Sequence, residues 1–130
     1  MDREKLEQLR DMKRESVSLE KKIEERKSKR KPKLYGDTAA DYSTGHKRVI
    51  TIYGEADPVM DKYIRLLEEK KMRVDHEIYD MESWLDRVEP ARTRNVLRLY
   101  YQEGKSQREI GELLNIDRSV VSKIITAAFQ

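Results

Sequence analysis

The chain has 130 residues, of which 41% are charged and 37% hydrophobic, with a formal net charge of +3, one Trp, one Phe and no Cys. So little apolar material does not fill a large core and suits long amphipathic helices or an oligomer. Disulfide frameworks and thiolate metal sites are excluded, the first residues show no apolar signal segment, and no run approaches the roughly 18 apolar residues of a membrane span; a soluble, cytoplasmic chain is expected.

Charge divides the chain into four segments. Residues 1–31 carry a net +4, residues 32–56 are balanced, residues 57–89 carry −4 and residues 90–130 carry +3. A basic start, an acidic middle and a basic end suggest separate roles. We therefore expect an N-terminal coiled-coil helix (1–31), a connector (32–56), a long amphipathic stem helix (57–89) and a C-terminal unit (90–130).

The first segment has no Gly or Pro and reads as helix. Leu9, Met12, Ser16, Leu19 and Ile23 repeat at 3–4–3–4, the seam of a coiled coil, with Leu6 one position off it. Ser16 thins that seam, so the helix needs a partner. The basic run Lys27, Lys29, Arg30, Lys31 and Lys33 suits a helix C-terminus or an auxiliary phosphate contact. The connector holds three Gly and one Pro. Within it "VITIY" (49–53) predicts one short extended stretch. A lone strand leaves its edges open, so this stretch packs along the stem or pairs with a second subunit.

Asp57 is a good N-cap and Pro58 suits the first helical position. From there Met60, Ile64, Leu67, Lys71, Val74, Ile78, Met81, Leu85 and Val88 alternate steps of four and three until Pro90. The pattern predicts a helix of about 31 residues, about 46 Å long. It forms a hairpin with the first helix, a dimer stem, or both, and Met60, Ile64, Leu67, Val74, Ile78, Met81 and Leu85 are the candidate oligomerisation residues. Tyr63, Leu66 and Trp84 widen the apolar face towards a further helix, and Lys71 either fixes register or snorkels outward. Nothing here reads as catalytic. His46 and His76 are isolated, the carboxylates face outward, and no phosphate-cradling Gly loop occurs, so no enzyme, metal or cofactor is expected.

Past Pro90, "ARTRNVLRLYYQEG" predicts a helix with Val96, Leu97, Tyr100 and Tyr101 inward and Arg92, Arg94 and Arg98 outward, stopped by Gly104. Ser106 and Glu109 have the spacing of a capping box. Ile110, Leu113 and Leu114 form the apolar face of the helix that follows. Asn115–Ile116–Asp117 is a corner: Asn tolerates the left-handed conformation, Ile116 plugs the gap, and Asp117 caps a last helix that runs to about Phe129 and buries Val121, Ile124 and Ile125. Gly111 costs a helix about 1 kcal/mol relative to Ala. Its place in that helix marks the close approach of two elements. This is a helix-turn-helix arrangement, with a bracing helix and a second helix offered to the major groove.

"SQREIGELLNIDRSVVSKIITAA" resembles region 4 of bacterial sigma factors and the related LuxR-type readers, whose common pattern is S-x-x-E-I-A-x-x-L-G-I-S-x-x-T-V. Gly111 replaces the small Ala, Asn115 the corner Gly, and Val120 the usual Thr. More broadly, the coiled-coil segment, the connector, the second long helix and this unit resemble the ArpU/RinA-like phage and prophage regulators of late genes. The resemblance implies double-stranded DNA as partner. Arg118, Ser119, Ser122 and Lys123 would face the groove and Val120 a thymine methyl, with Ser106, Gln107 and Arg108 on phosphates. One recognition helix rarely supplies operator-grade affinity, so a homodimer is expected, and the acidic middle is a candidate contact for RNA polymerase. The alternatives are a small terminase subunit for DNA packaging, or a coiled-coil adaptor that binds polymerase without touching DNA.

Overall fold

A computed structural model describes residues 1–29 and 57–130. The expected extended stretch at 49–53, His46 and the basic positions Arg30, Lys31 and Lys33 lie outside the described residues. The fold is all-α, with long N-terminal helices followed by a C-terminal helix-turn-helix. Among the described residues, α1 spans Arg3–Leu6, α2 Leu9–Lys29, α3 Pro58–Asp86, α4 Ala91–Leu97, α5 Gln107–Leu114 and α6 Arg118–Ala127; a π-helical turn, Arg98–Gln102, follows α4. They form two compact units, one of Met1–Val17 with Met72–Gln130 and one within Ser18–Lys71. The division falls inside α2 and α3 and not at the segment edges read from the sequence.

The expected single N-terminal helix is broken after Leu6. The amide of Gln8 donates to the Lys5 carbonyl at 3.1 Å, a three-residue step that tightens the chain before α2 begins. The tighter turn brings Leu6, nominally off the seam, to the same side as Leu9, and both are fully buried. In this first unit α2 and α3 run antiparallel. Ser16 Oγ donates to Asp75 Oδ1 at 2.5 Å, and Lys13 Nζ meets Glu82 at 2.5 Å. Ser16 thus has a polar partner where the apolar seam lapses. Asp57 caps α3 as expected, its carboxylate accepting from the Met60 amide at 3.2 Å.

Among the described residues, all of the fully buried large side chains belong to this unit: Leu6 and Leu9, Met81 and Leu85 of α3, and Val96, Leu97, Ile110, Val121 and Ile125 of the C-terminal helices. Each such side chain stabilises by about 1.5–3 kcal/mol on burial. Trp84, expected to widen the apolar face towards a further helix, stacks on Phe129 just past α6 with centroids 5.7 Å apart, and Phe129 meets the Tyr101 ring edge-on at 6.1 Å. These contacts tie the end of the chain, beyond the last turn of α6, to α3.

The second unit is described only in its parts of α2 and α3. Among its described residues, Leu19 and Ile23 from α2 and Ile64 and Leu67 from α3 are buried, and Met60 is half-buried. Lys71–Glu20 (3.7 Å), Lys27–Glu68 (3.3 Å) and Arg26 over the Tyr63 ring (4.9 Å) align the pair antiparallel. Lys71 therefore points to a carboxylate on the neighbouring helix. Exposed pairs of this kind contribute roughly 0–1 kcal/mol each, so the apolar seam decides the pairing.

Of the hairpin and the dimer stem that the seam allows, the hairpin is present within one chain: Ile64, Leu67, Val74, Ile78, Met81 and Leu85 are all covered without a second copy. Ile78→Glu places a charge in this seam and should destabilise the first unit by about 2–5 kcal/mol. The expected readout is a lowered denaturation midpoint, whereas Tyr79→Glu, at a position 67% exposed, should leave it near the wild-type value.

Candidate nucleic-acid interface

The C-terminal helices are built around one tight corner. Val96, Leu97 and Tyr101 turn inward, as expected. Arg94, expected outward, is half-buried because its guanidinium donates to the Val88 carbonyl at 3.1 Å and lies 3.6 Å from Glu89. Past Leu97 the backbone widens into the π-helical turn, with the Glu103 amide donating to the Arg98 carbonyl at 3.1 Å. Gly104 stops it at φ +71°, and the Lys105 amide closes back onto the Leu99 carbonyl at 3.0 Å. Few side chains other than none at all tolerate that turn.

Ser106 and Glu109 form the capping box the spacing predicts. Ser106 Oγ accepts from the Glu109 amide at 3.1 Å, and the Ser106 amide donates to Glu109 Oε1 at 2.9 Å. At the other end of α5, Asn115 takes up φ 57° and ψ 47°, the left-handed conformation that lets both its own amide and that of Ile116 reach the Gly111 carbonyl, the latter at 2.9 Å. Asp117 then caps α6, accepting from the Ser119 amide at 3.2 Å and from the Ser119 hydroxyl.

Gly111 is buried at the inner side of this corner. A Cβ there would lie 2.8 Å from the Ile116 carbonyl oxygen and 3.5 Å from the Arg118 amide. The close approach is therefore to the backbone of the corner and the first residue of α6. It also fixes which side of α5 faces inward. With Ile110, Gly111 and Leu114 turned to the core, Leu113 is rotated outward and is 60% exposed, contrary to its expected place on the apolar face. Ile124 likewise is half-buried, and α6 ends at Ala127 and not at Phe129.

Of the residues assigned to DNA, Arg118, Ser119 and Lys123 are exposed on α6, while Val120 and Ser122 are half-buried. The Ser119 hydroxyl is engaged by the Asp117 cap, and the Ser122 carbonyl accepts from Thr126 Oγ1 at 3.0 Å. Arg108 is exposed on α5 and lies 3.9 Å from Glu112. Arg108 and Arg118 line one cleft over the corner, together with Glu112 and Asn115. Ser106 is exposed and Gln107 half-buried. The first-turn amides of Gln107 and Arg108 have no partner within the helix. Lys105 and Arg10, which the sequence pattern did not single out, stand beside that helix start. Only Lys105 carried a sequence signal, as the cation just before the capping box.

Residues 88–130 match the family model described as Sigma-70, region 4. That family is a DNA-binding, non-enzymatic one, and the match covers the whole helix-turn-helix. No curated protein and no solved structure matches the chain. Among the described residues, no group of His, Asp or Glu could hold a metal ion, and no helix is long and apolar enough to cross a membrane.

Two outcomes test this corner. Gly111→Ala gains about 1 kcal/mol of helix propensity yet forces backbone apart, so a net loss of about 1–3 kcal/mol is expected in denaturant titration, and Gly111→Leu should lose more. The second concerns acid. The Ser119 hydroxyl holds the Asp117 carboxyl below its ordinary pKa, and the Ser106 amide does the same for Glu109. A depressed folded-state pKa gives stability that is present above the unfolded-state value and lost as pH falls through the folded one. Melting temperature should therefore drop as pH falls below the ordinary carboxylate range, and Asp117→Asn, which keeps a cap, should flatten part of that fall.

Proposed function

We propose that this chain is a sequence-specific, DNA-binding transcription regulator of a phage or prophage, akin to the ArpU/RinA-like regulators, acting on late genes as an activator. The observation that carries the reading is the corner itself: a capped bracing helix, a left-handed Asn115 and a Cβ-less Gly111 in a segment that matches sigma region 4. Together these set α6 so that Arg118 at its start and Lys123 in its middle are solvent-facing. Arg118 reads a guanine edge, with Ser119, Val120, Ser122 and Lys123 along the same helix; Ser106, Gln107 and Arg108 hold phosphates.

A homodimer belongs to the proposal because two recognition helices acting together multiply affinity. Since the heptad seam is buried within the chain, two copies would have to open it or meet on another surface. A second reading, an adaptor that binds RNA polymerase without touching DNA, is favoured by one feature, the exposed Leu113. Absence of DNA binding at low salt would decide for that reading.

Selection of bound genomic fragments by the purified protein tests the proposal, with one defined site upstream of structural genes as the expected result. On that site Arg118→Ala should cost about 1–3 kcal/mol and relax preference at one base position. Arg108→Ala should weaken all sequences alike and lower the salt slope by about one unit. An Arg118→Ala variant that binds the selected site as tightly as wild type would show that α6 does not read it.

A further inference from the structure

The start of the bracing helix is flanked by a cleft that the matched segment does not form alone. Its walls include Arg10 at the start of α2 as well as Tyr101, Gly104, Lys105 and Ser106. Arg10 lies directly on the turn. A Cβ at Gly104 would fall 2.3 Å from Arg10 Cζ and 2.4 Å from one of its terminal nitrogens. The turn therefore has room for this guanidinium because residue 104 has no side chain.

The charges around the cleft leave one cation, Arg10, available, because the Lys105 ammonium helps hold the Glu109 carboxyl ionised. Three carboxylates line it, Glu7, Asp11 and Glu109. Glu7 is 3.8 Å from Arg3, Asp11 is 3.1 Å from Arg14, and Glu109 is held by the Ser106 amide at 2.9 Å. Among the described residues, Arg10 has no ion-pair or hydrogen-bond partner in these contacts. The unbonded first-turn amides of α5 begin at the same place. Tyr101 is 4% exposed, and the Arg3 guanidinium stands beside its hydroxyl. Arginine suits such a position because its planar fork can grip two phosphate oxygens at once.

We propose that Arg10 binds a DNA backbone phosphate beside the start of the bracing helix. The N-terminal helix would then be part of the DNA-binding surface. This inference rests on the DNA-binding reading above. The contact would carry no sequence information; it would position the duplex and add to affinity on any sequence.

The test uses the full chain, wild type and the variants Arg10→Gln and Arg10→Lys, titrated with the selected duplex and an unrelated duplex over a range of salt. Arg10→Gln should weaken both duplexes by roughly 5- to 10-fold near about 0.1 M salt and lower the salt slope by about one unit. Arg10→Lys should recover much of the loss. A methylphosphonate scan of the selected duplex separates direct contact from a disturbed turn. One neutralised phosphate should weaken wild type but not Arg10→Gln, because the partner is already gone. If every neutralised phosphate weakens the two proteins equally, or if Arg10→Gln binds with wild-type affinity and slope, the contact does not exist. If Arg118→Ala still loses base preference in that case, the DNA-binding reading stands without it. A wild-type protein with no affinity for either duplex at low salt overturns both.

Discussion

Two backbone segments meet at Gly111 with no space for a methyl group between them, and most of the C-terminal architecture follows from that distance. The Gly111 carbonyl accepts the amides of Asn115 and Ile116, which requires residue 115 to turn left-handed, and Asn is among the few side chains that do so readily. The turn leaves the next amides without helical partners, which Asp117 supplies from its side chain. The same approach selects the inner side of α5, and so decides that Leu113 faces solvent and that Arg108 and Arg118 share a cleft. A helix propensity penalty of about 1 kcal/mol at residue 111 is small beside the capping and burial that the corner secures.

What could be read from the sequence divides along the same line. The corner was legible because it needs particular residue types at particular places: a side chain that caps, a glycine where nothing else fits, an asparagine at positive φ. The long helices were legible from heptad spacing, and the capped start at Asp57 from local chemistry. Leu113 is not legible in this way, because an isolated helix of eight residues has several plausible apolar faces, and only the crossing at Gly111 selects among them. Helical spacing alone points Arg94 outward; its partner, the Val88 carbonyl, comes from a backbone path around Pro90 that no periodicity reveals. The Trp84–Phe129 stack joins residues 45 apart in sequence, so no local window contains it.

The seam shows a different kind of limit. A heptad repeat records that one face of a helix is buried, and the record is the same whether the covering helix belongs to the same chain or to another. In this chain the antiparallel partner is α2, and the polar pair Ser16–Asp75 marks where its own pattern lapses. Ser16 looked like a defect when α2 was read alone. It has a partner at 2.5 Å once α3 is beside it, and an unmatched polar group in a mostly apolar seam costs free energy in any other register. Lys71 and Glu20 work in the same direction, though their exposure to solvent makes the contribution small.

The family match ends near residue 88, but the compact unit that contains it does not. Leu6, Leu9, Met81 and Leu85 are as thoroughly buried as Val96 or Ile125, and they lie outside the matched segment. Four side chains of that kind represent on the order of 6–12 kcal/mol of burial, comparable with the whole net stability of a small domain. The helix-turn-helix of this protein is therefore stabilised together with the first residues of the chain and the last turns of α3. Any change that loosens α1, or the first turns of α2 beside Gly104, acts on the same cooperative unit that holds α6 in place.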